Sequence, residues 1–357
     1  MSNTTEQQIK ALREELRMHN YNYYVLDAPE ISDYDFDIKL KELLALEEKH
    51  PEFASPLSPT KRVGGDVTKK FEQVQHKYPM LSLSNSYSKE DIIDFETRIK
   101  KLTNDEIEYV CELKYDGVAI GIQYINGEFH QAVTRGDGSK GENVSTNVKT
   151  IKSIPLKLRG DFPNDFEIRG EIFFPLKNFE KRNKQRAEND EPLYANPRNT
   201  ASGTLKSLDS SIAAERGLDC YLYGVYGDNI EIDNHFDLVE KAEEWGFKVP
   251  KTDTNYIKKT SSIDGILEFI DFWDVERKKL PFEIDGEFGL DKKLKKVTYL
   301  DKVVFEKLLE SQNKDDFKFG LLTVLHELTK SENTRIGFRF IEGNPKTLTF
   351  EEIIDKY

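Results

Sequence analysis

The sequence predicts an α+β fold, in which a small N-terminal helical module precedes a larger domain of mixed and antiparallel strands and a mainly helical C-terminal tail. Three observations carry this. Apolar residues recur at helical spacing through residues 6–48. Short alternating runs dominate between about 108 and 225, with helices interposed irregularly rather than after each strand. Beyond residue 287, helical spacing returns without the alternating runs.

In the module, Ile9, Leu12 and Leu16 share one helical face, and Phe36, Leu40, Leu43 and Leu44 form a second stripe. His19-Asn20-Tyr21-Asn22-Tyr23-Tyr24 and Asp27-Ala28-Pro29 lie between them, and Ser32 is placed to cap the second helix. From His50 to Asp66 the chain carries Pro51, Pro56, Pro59, Gly64 and Gly65, which predict a linker without regular structure. The module with its linker is therefore residues 1–66.

The second domain spans 67–286. Ser88 caps a helix with Ile92, Phe95 and Ile99 on its core face. Strands follow at Glu108 to Leu113, Val118 to Ile125, Phe129 to Thr134, Phe166 to Phe174 and Leu218 to Val225. Two later helices run from Phe236 to Trp245, stopped by Gly246, and through Ile263, Leu267, Ile270 and Trp273. In the tail, 287–357, Leu300, Val303, Val304 and Leu308 mark one amphipathic helix and Leu321, Val324, Leu325 and Leu328 another.

Composition narrows the function classes. No apolar run approaches the roughly 18 to 20 residues of a membrane span, and the polar N-terminus lacks a signal peptide's apolar core, so a cytoplasmic, membrane-free protein is expected. The two cysteines, Cys111 and Cys220, lie in strand-like runs, read as buried reduced thiols and leave no four-cysteine zinc site. The net charge of -13 has the wrong sign for holding DNA by an overall field. Residues 287–357 hold thirteen acidic and thirteen basic side chains, so the whole excess lies in 1–286.

The chemistry concentrates at Glu112-Leu113-Lys114-Tyr115-Asp116-Gly117. Alternation along a strand puts Glu112, Lys114 and Asp116 on one side, a lysine between two carboxylates. Alone, that pattern is an ordinary surface ion-pair ladder. Its companions change the reading: Met80-Leu81-Ser82-Leu83, Thr134-Arg135-Gly136-Asp137-Gly138, Arg169-Gly170-Glu171, and Asn196-Pro197-Arg198-Asn199-Thr200-Ala201-Ser202-Gly203. Arg135-Gly136-Asp137-Gly138-Ser139-Lys140-Gly141 fits neither the P-loop nor the dinucleotide fingerprint and reads as a turn presenting Arg135.

With these motifs the chain resembles the adenylation region of the NAD-dependent DNA ligases, within the covalent nucleotidyltransferases, over residues 6–286. The resemblance implies an ATP-grasp-like domain in which Lys114 attacks the adenylyl phosphorus of NAD, giving AMP-lysine and releasing nicotinamide mononucleotide. It assigns Tyr23, Tyr24, Asp33, Phe36 and Asp37 to the nicotinamide side, with Phe36 where many relatives carry tyrosine. Ser82, Leu83, Glu112, Asp116, Arg135 and Glu171 fall around the nucleotide. Mg²⁺ is expected to be held mostly through water, with Glu171 the one candidate direct contact. Arg198 and Lys206 are assigned to the phosphate or DNA-backbone surface, with nicked duplex DNA as partner and a monomer as the working state. The basic run Lys181-Arg182-Asn183-Lys184-Gln185-Arg186 reads first as a solvated helix face.

The resemblance also has a gap. Asp285-Gly286 should open an Asp-Gly-Val-Val-Ile-Lys strand, but Leu290 stands where its lysine belongs. Lys292 would share the face, displaced by roughly 6 to 7 Å. The next phosphate-binding lysine motif and the family's later domains have no match in the tail. A shortened ligase with weak or no sealing is therefore expected; the alternatives are a non-catalytic NAD-binding or interaction protein, or a relic without a role. An ATP-dependent relative is opposed by residues 19–37.

Overall fold

The computed structural model describes residues 2–285 except 27, 63–69, 82, 84, 85, 87, 104, 229 and 233; at Ser2, Asn3, Thr4 and Asp33 it describes the backbone alone. The expected helices of the tail, with Leu290 and Lys292, lie outside the described residues. Those described fall into two units, one of residues 2–92 and 107–285 and the other of residues 93–106.

Helices α1 (Ser2–Tyr24) and α2 (Asp33–Lys49) form the N-terminal module. Ile9, Leu12, Leu16 and Leu43 are buried together, and Phe36, Leu40, Leu46 and Phe53 pack against them. Leu44 is not in this core and stays 37% exposed. A helix turns about 100° per residue, so burying Leu43 and Leu46 rotates Leu44 to the flank. The segment His19–Tyr24, expected between the helices, instead forms the end of α1. Ser32 caps α2 by accepting the Asp35 amide at 3.1 Å.

The proline-rich stretch is more ordered than its composition suggests, with 3₁₀ turns at Pro51–Phe53 and Pro59–Lys61. Buried Glu47 organises it, taking Arg13 Nε at 2.7 Å and the Thr60 hydroxyl, while Arg13 also donates to the Phe53 carbonyl at 2.6 Å. Leu57 joins the core of the larger domain. Arg62, with no carboxylate partner among the described residues, donates to the carbonyls of Lys149, Ile151 and Ile154 at 3.0–3.1 Å. Burial lowers its pKa to about 10.

The larger domain runs β1 (Gln73–Gln75), α3 (Lys89–Lys100), β2 (Tyr109–Glu112), β3 (Val118–Ile125), β4 (Glu128–Thr134), β5 (Lys140–Glu142), α4 (Ser145–Val148), β6 (Asp165–Phe173), α5 (Leu176–Glu188), α6 (Pro197–Leu205), α7 (Ser210–Arg216), β7 (Asp219–Tyr226), α8 (His235–Glu244), β8 (Ile257–Thr260) and α9 (Ile263–Glu276). Its main sheet is antiparallel throughout, in the order β4-β3-β6-β7, and two-stranded pairs β1-β5 and β2-β8 accompany it. Ile120, Ile122, Tyr124, Ile168 and Ile172 alternate inward from β3 and β6 and bury 0% exposed side chains at its centre. Helix α8 stops at Gly246, whose φ of 105° is open to glycine and strained for other residues. At the start of α3, Ser88 and Asp91 cap each other reciprocally, each backbone amide bonding the other's side chain at 3.1 Å. No described helix is long and apolar enough to cross a membrane.

Candidate active site

Burial alternates from Cys111 to Tyr115 as a strand requires: Cys111, Leu113 and Tyr115 are buried, while Glu112, Lys114 and Asp116 are partly exposed on the other side. Tyr115 anchors the segment in an aromatic cluster, stacked on Tyr221 with centroids 4.7 Å apart and packed against Phe173 and Phe282. Gly117 is needed for the turn into β3, because a Cβ there would overlap the Ile172 carbonyl on β6. Both cysteines are buried and free.

Residues distant in sequence then meet the lysine. The stretch 114–116 pairs with 283–285: the Asp285 amide donates to the Lys114 carbonyl at 2.7 Å and the Asp116 amide to the Glu283 carbonyl at 3.0 Å. This pairing brings the Asp285 carboxylate into an ion pair with the Lys114 amine, whose side chain is 33% exposed. Arg198, at the start of α6, reaches Asp116 at 2.9 Å. Glu171 on β6 lies close enough to sense Lys114, Arg198 and Asp116, and the Tyr223 hydroxyl donates to it at 3.4 Å. Burial pushes the Glu171 carboxyl up to about 7; Lys114, Arg198 and Tyr223 pull it back, and Asp116 pushes it further. Glu112 bonds His235 Nε2 at 3.0 Å through one oxygen, and its other oxygen is buried with no partner.

Arg198, expected on the phosphate or DNA-backbone surface, remains about half exposed and pairs with Asp116 beside the lysine. Lys206 forms an ion pair with Glu142. Arg135 is exposed on its turn, which backs onto residues 76–80: His76 Nε2 is 3.1 Å from the Arg135 carbonyl, and the Met80 amide donates to the Gly138 carbonyl at 2.8 Å. Buried Arg169 fixes the same stretch through the Tyr78 and Pro79 carbonyls. The turn thus borders the run that contains Leu83, which is 49% exposed; Ser82 lies outside the described residues. In α5, Arg182 pairs with Glu215 and Arg186 with Glu191, as on a solvated face.

Tyr23, Tyr24, Phe36 and Asp37 line one cavity of about 270 Å³, together with Glu30 and Lys152. Aromatic faces and carboxylates suit a cationic pyridinium ring and ribose hydroxyls. This cavity does not adjoin Lys114. Lys152 belongs to the loop that closes over Tyr124 and Phe129, through the Tyr124 hydroxyl to the Pro155 carbonyl and the Phe129 amide to the Leu156 carbonyl. Lys114 stands before the start of β3; the six steps from Val118 to Tyr124 alone span about 20 Å.

A partly exposed lysine amine paired with one carboxylate and close to others and an arginine, on this antiparallel scaffold, fits an enzyme class, the covalent nucleotidyltransferases. More particularly, the chain belongs to the family of NAD-dependent DNA ligase adenylation domains, which residues 68–305 match. Residues 2–64 match the DNA ligase-like, N-terminal NAD+-binding domain. Proteins named DNA ligase from Flavobacterium johnsoniae, Christiangramia forsetii and Parabacteroides distasonis are 57%, 55% and 54% identical to it over 282, 281 and 282 residues. Each alignment takes in 79% of this chain but 42% of the relative, so the chain spans less than half the length of the curated relatives it matches.

Proposed function

We propose that this chain carries out the adenylation step of an NAD-dependent DNA ligase. Lys114 Nζ attacks the adenylyl phosphorus of NAD, the N–P bond forms as the bond to the nicotinamide mononucleotide phosphate breaks, and the amine gives up a proton. The observation that carries this reading is the Lys114 amine itself, held by Asp285 beside Asp116, Glu171 and Arg198. Asp285 is the nearest carboxylate to accept that proton, and Arg198 brings positive charge toward the transferring phosphoryl group. The unpartnered Glu112 oxygen supplies an acceptor for the adenine amino group or a ribose hydroxyl. Ser82, Leu83 and Arg135 complete the nucleotide's surroundings on the ATP-grasp-like scaffold.

Among the described residues no group of three His, Cys, Asp or Glu side chains could hold a metal ion. In this reading, as the family resemblance implies, Mg²⁺ is held mostly through water, with Glu171 its candidate direct contact. Because the nicotinamide cavity lies remote from Lys114 here, the helical module must approach the lysine before transfer. Nick sealing, on nicked duplex DNA, is expected to be absent or very poor from this chain alone, since Leu290 stands where the family's phosphate-binding lysine belongs.

Incubation with NAD and Mg²⁺ should give a protein heavier by one AMP, with none on Lys114→Ala. The Leu290 substitution favours one second reading, a protein that binds NAD without reacting; it predicts NAD binding with no mass change.

A further inference from the structure

The cavity of the helical module contains one side chain that comes from outside the module. Lys152 lies in the loop after α4, and its ammonium stands 5.3 Å from the centroid of the Tyr24 ring. It lines the cavity with Tyr23, Phe36, Asp37 and Glu30. Lys152 makes no hydrogen bond or ion pair with another described residue, although Asp37 and Glu30 share its cavity.

This set of charges is specific. Aromatic faces with carboxylates attract a cation, and an ammonium at the cavity wall attracts an anion. A ligand satisfying both is a zwitterion with a flat cationic ring and a phosphate one ribose away. That is a pyridine mononucleotide. An intact dinucleotide cannot react from this position: attack needs amine and phosphorus within about 3.5 Å, and the leaving phosphate is bonded to that phosphorus. Lys114 does not line the cavity, whose Lys152 lies in the loop packed at the Tyr124 end of β3, whereas Lys114 precedes the Val118 end.

We propose, on the basis of the adenylation reading, that Lys152 completes a mononucleotide site in this docked arrangement of the module. Its ammonium pairs with the 5′-phosphate of nicotinamide mononucleotide, so the product of transfer is held apart from Lys114. The lysine is a specificity-determining residue for the free mononucleotide, and takes no part in the chemical step.

Binding of nicotinamide mononucleotide and of nicotinamide riboside, which lacks the phosphate, is measured calorimetrically on the whole chain. The mononucleotide should bind at least about tenfold more tightly, Lys152→Gln should erase that preference by weakening the mononucleotide far more than the riboside, and Lys152→Arg should restore it. Lys152 is exposed, so neither substitution threatens folding. Equal affinities in the unsubstituted protein, or a preference surviving Lys152→Gln, overturn the proposal. A chain that becomes adenylated but shows no phosphate preference defeats the Lys152 site alone. One that shows the preference but is never adenylated defeats the reaction alone.

Discussion

Glu171 carries the strongest electrostatic tension in the site. Its carboxyl is raised from 4.5 to about 7, so between those pH values the folded chain keeps a proton that the unfolded chain has released. More protons bound in the folded state means stability falls as pH rises through this window. The full shift corresponds to about 3 kcal/mol at most. In urea titrations of the ligand-free protein, Glu171→Gln should be more stable than the unsubstituted chain at pH 8 and no different at pH 4; equal stability at pH 8 would show that the carboxylate is not desolvated. Gly117 makes a steric prediction at the same scale. Its Ala variant must push β6 away from the lysine turn, which should cost about 2 kcal/mol or more in the same titration.

At the scale of elements, Arg62 joins linker and domain. Arg62→Met keeps the bulk but leaves three carbonyls without a charged donor, an expected loss of about 2–4 kcal/mol. Limited proteolysis should then cut first between residues 50 and 70; an unchanged cleavage pattern would mean the anchor is dispensable. Strand β3 was legible to the residue because Val118–Ile125 is a run of β-branched and aromatic residues bounded by turn glycines and packs on both neighbours. Strands β1, β5 and β8 were not, since Gln-Val-Gln, Lys-Gly-Glu and Ile-Lys-Lys-Thr have too few apolar residues to alternate and exist only through their partners. The same division runs through the site. The shared face of Glu112, Lys114 and Asp116 followed from local periodicity. The pairings Lys114–Asp285, Asp116–Arg198 and Glu112–His235 join residues 82 to 171 positions apart, and no local pattern encodes them.

For the whole molecule, the central tension is that the proposed nicotinamide cavity and the proposed nucleophile, Lys114, stand at different places on one scaffold. The docked position is held by Arg62, by Arg159 over Tyr21 and by Lys152 over Tyr24. Met18 and Arg159 meet across this contact at 4.0 Å. Cysteines at both positions, bridged by a flexible bismaleimide, should abolish adenylation while preserving mononucleotide binding. The native cysteines are buried and should not compete for the reagent. Full adenylation of the bridged protein would contradict any need for the module to move.

The most direct test is peptide mapping after incubation with NAD and Mg²⁺. The account predicts a single AMP on the peptide containing Lys114, one nicotinamide mononucleotide released per AMP bound, and neither product from Lys114→Ala. AMP on any other residue, or NAD bound at saturation with no adduct, would contradict it.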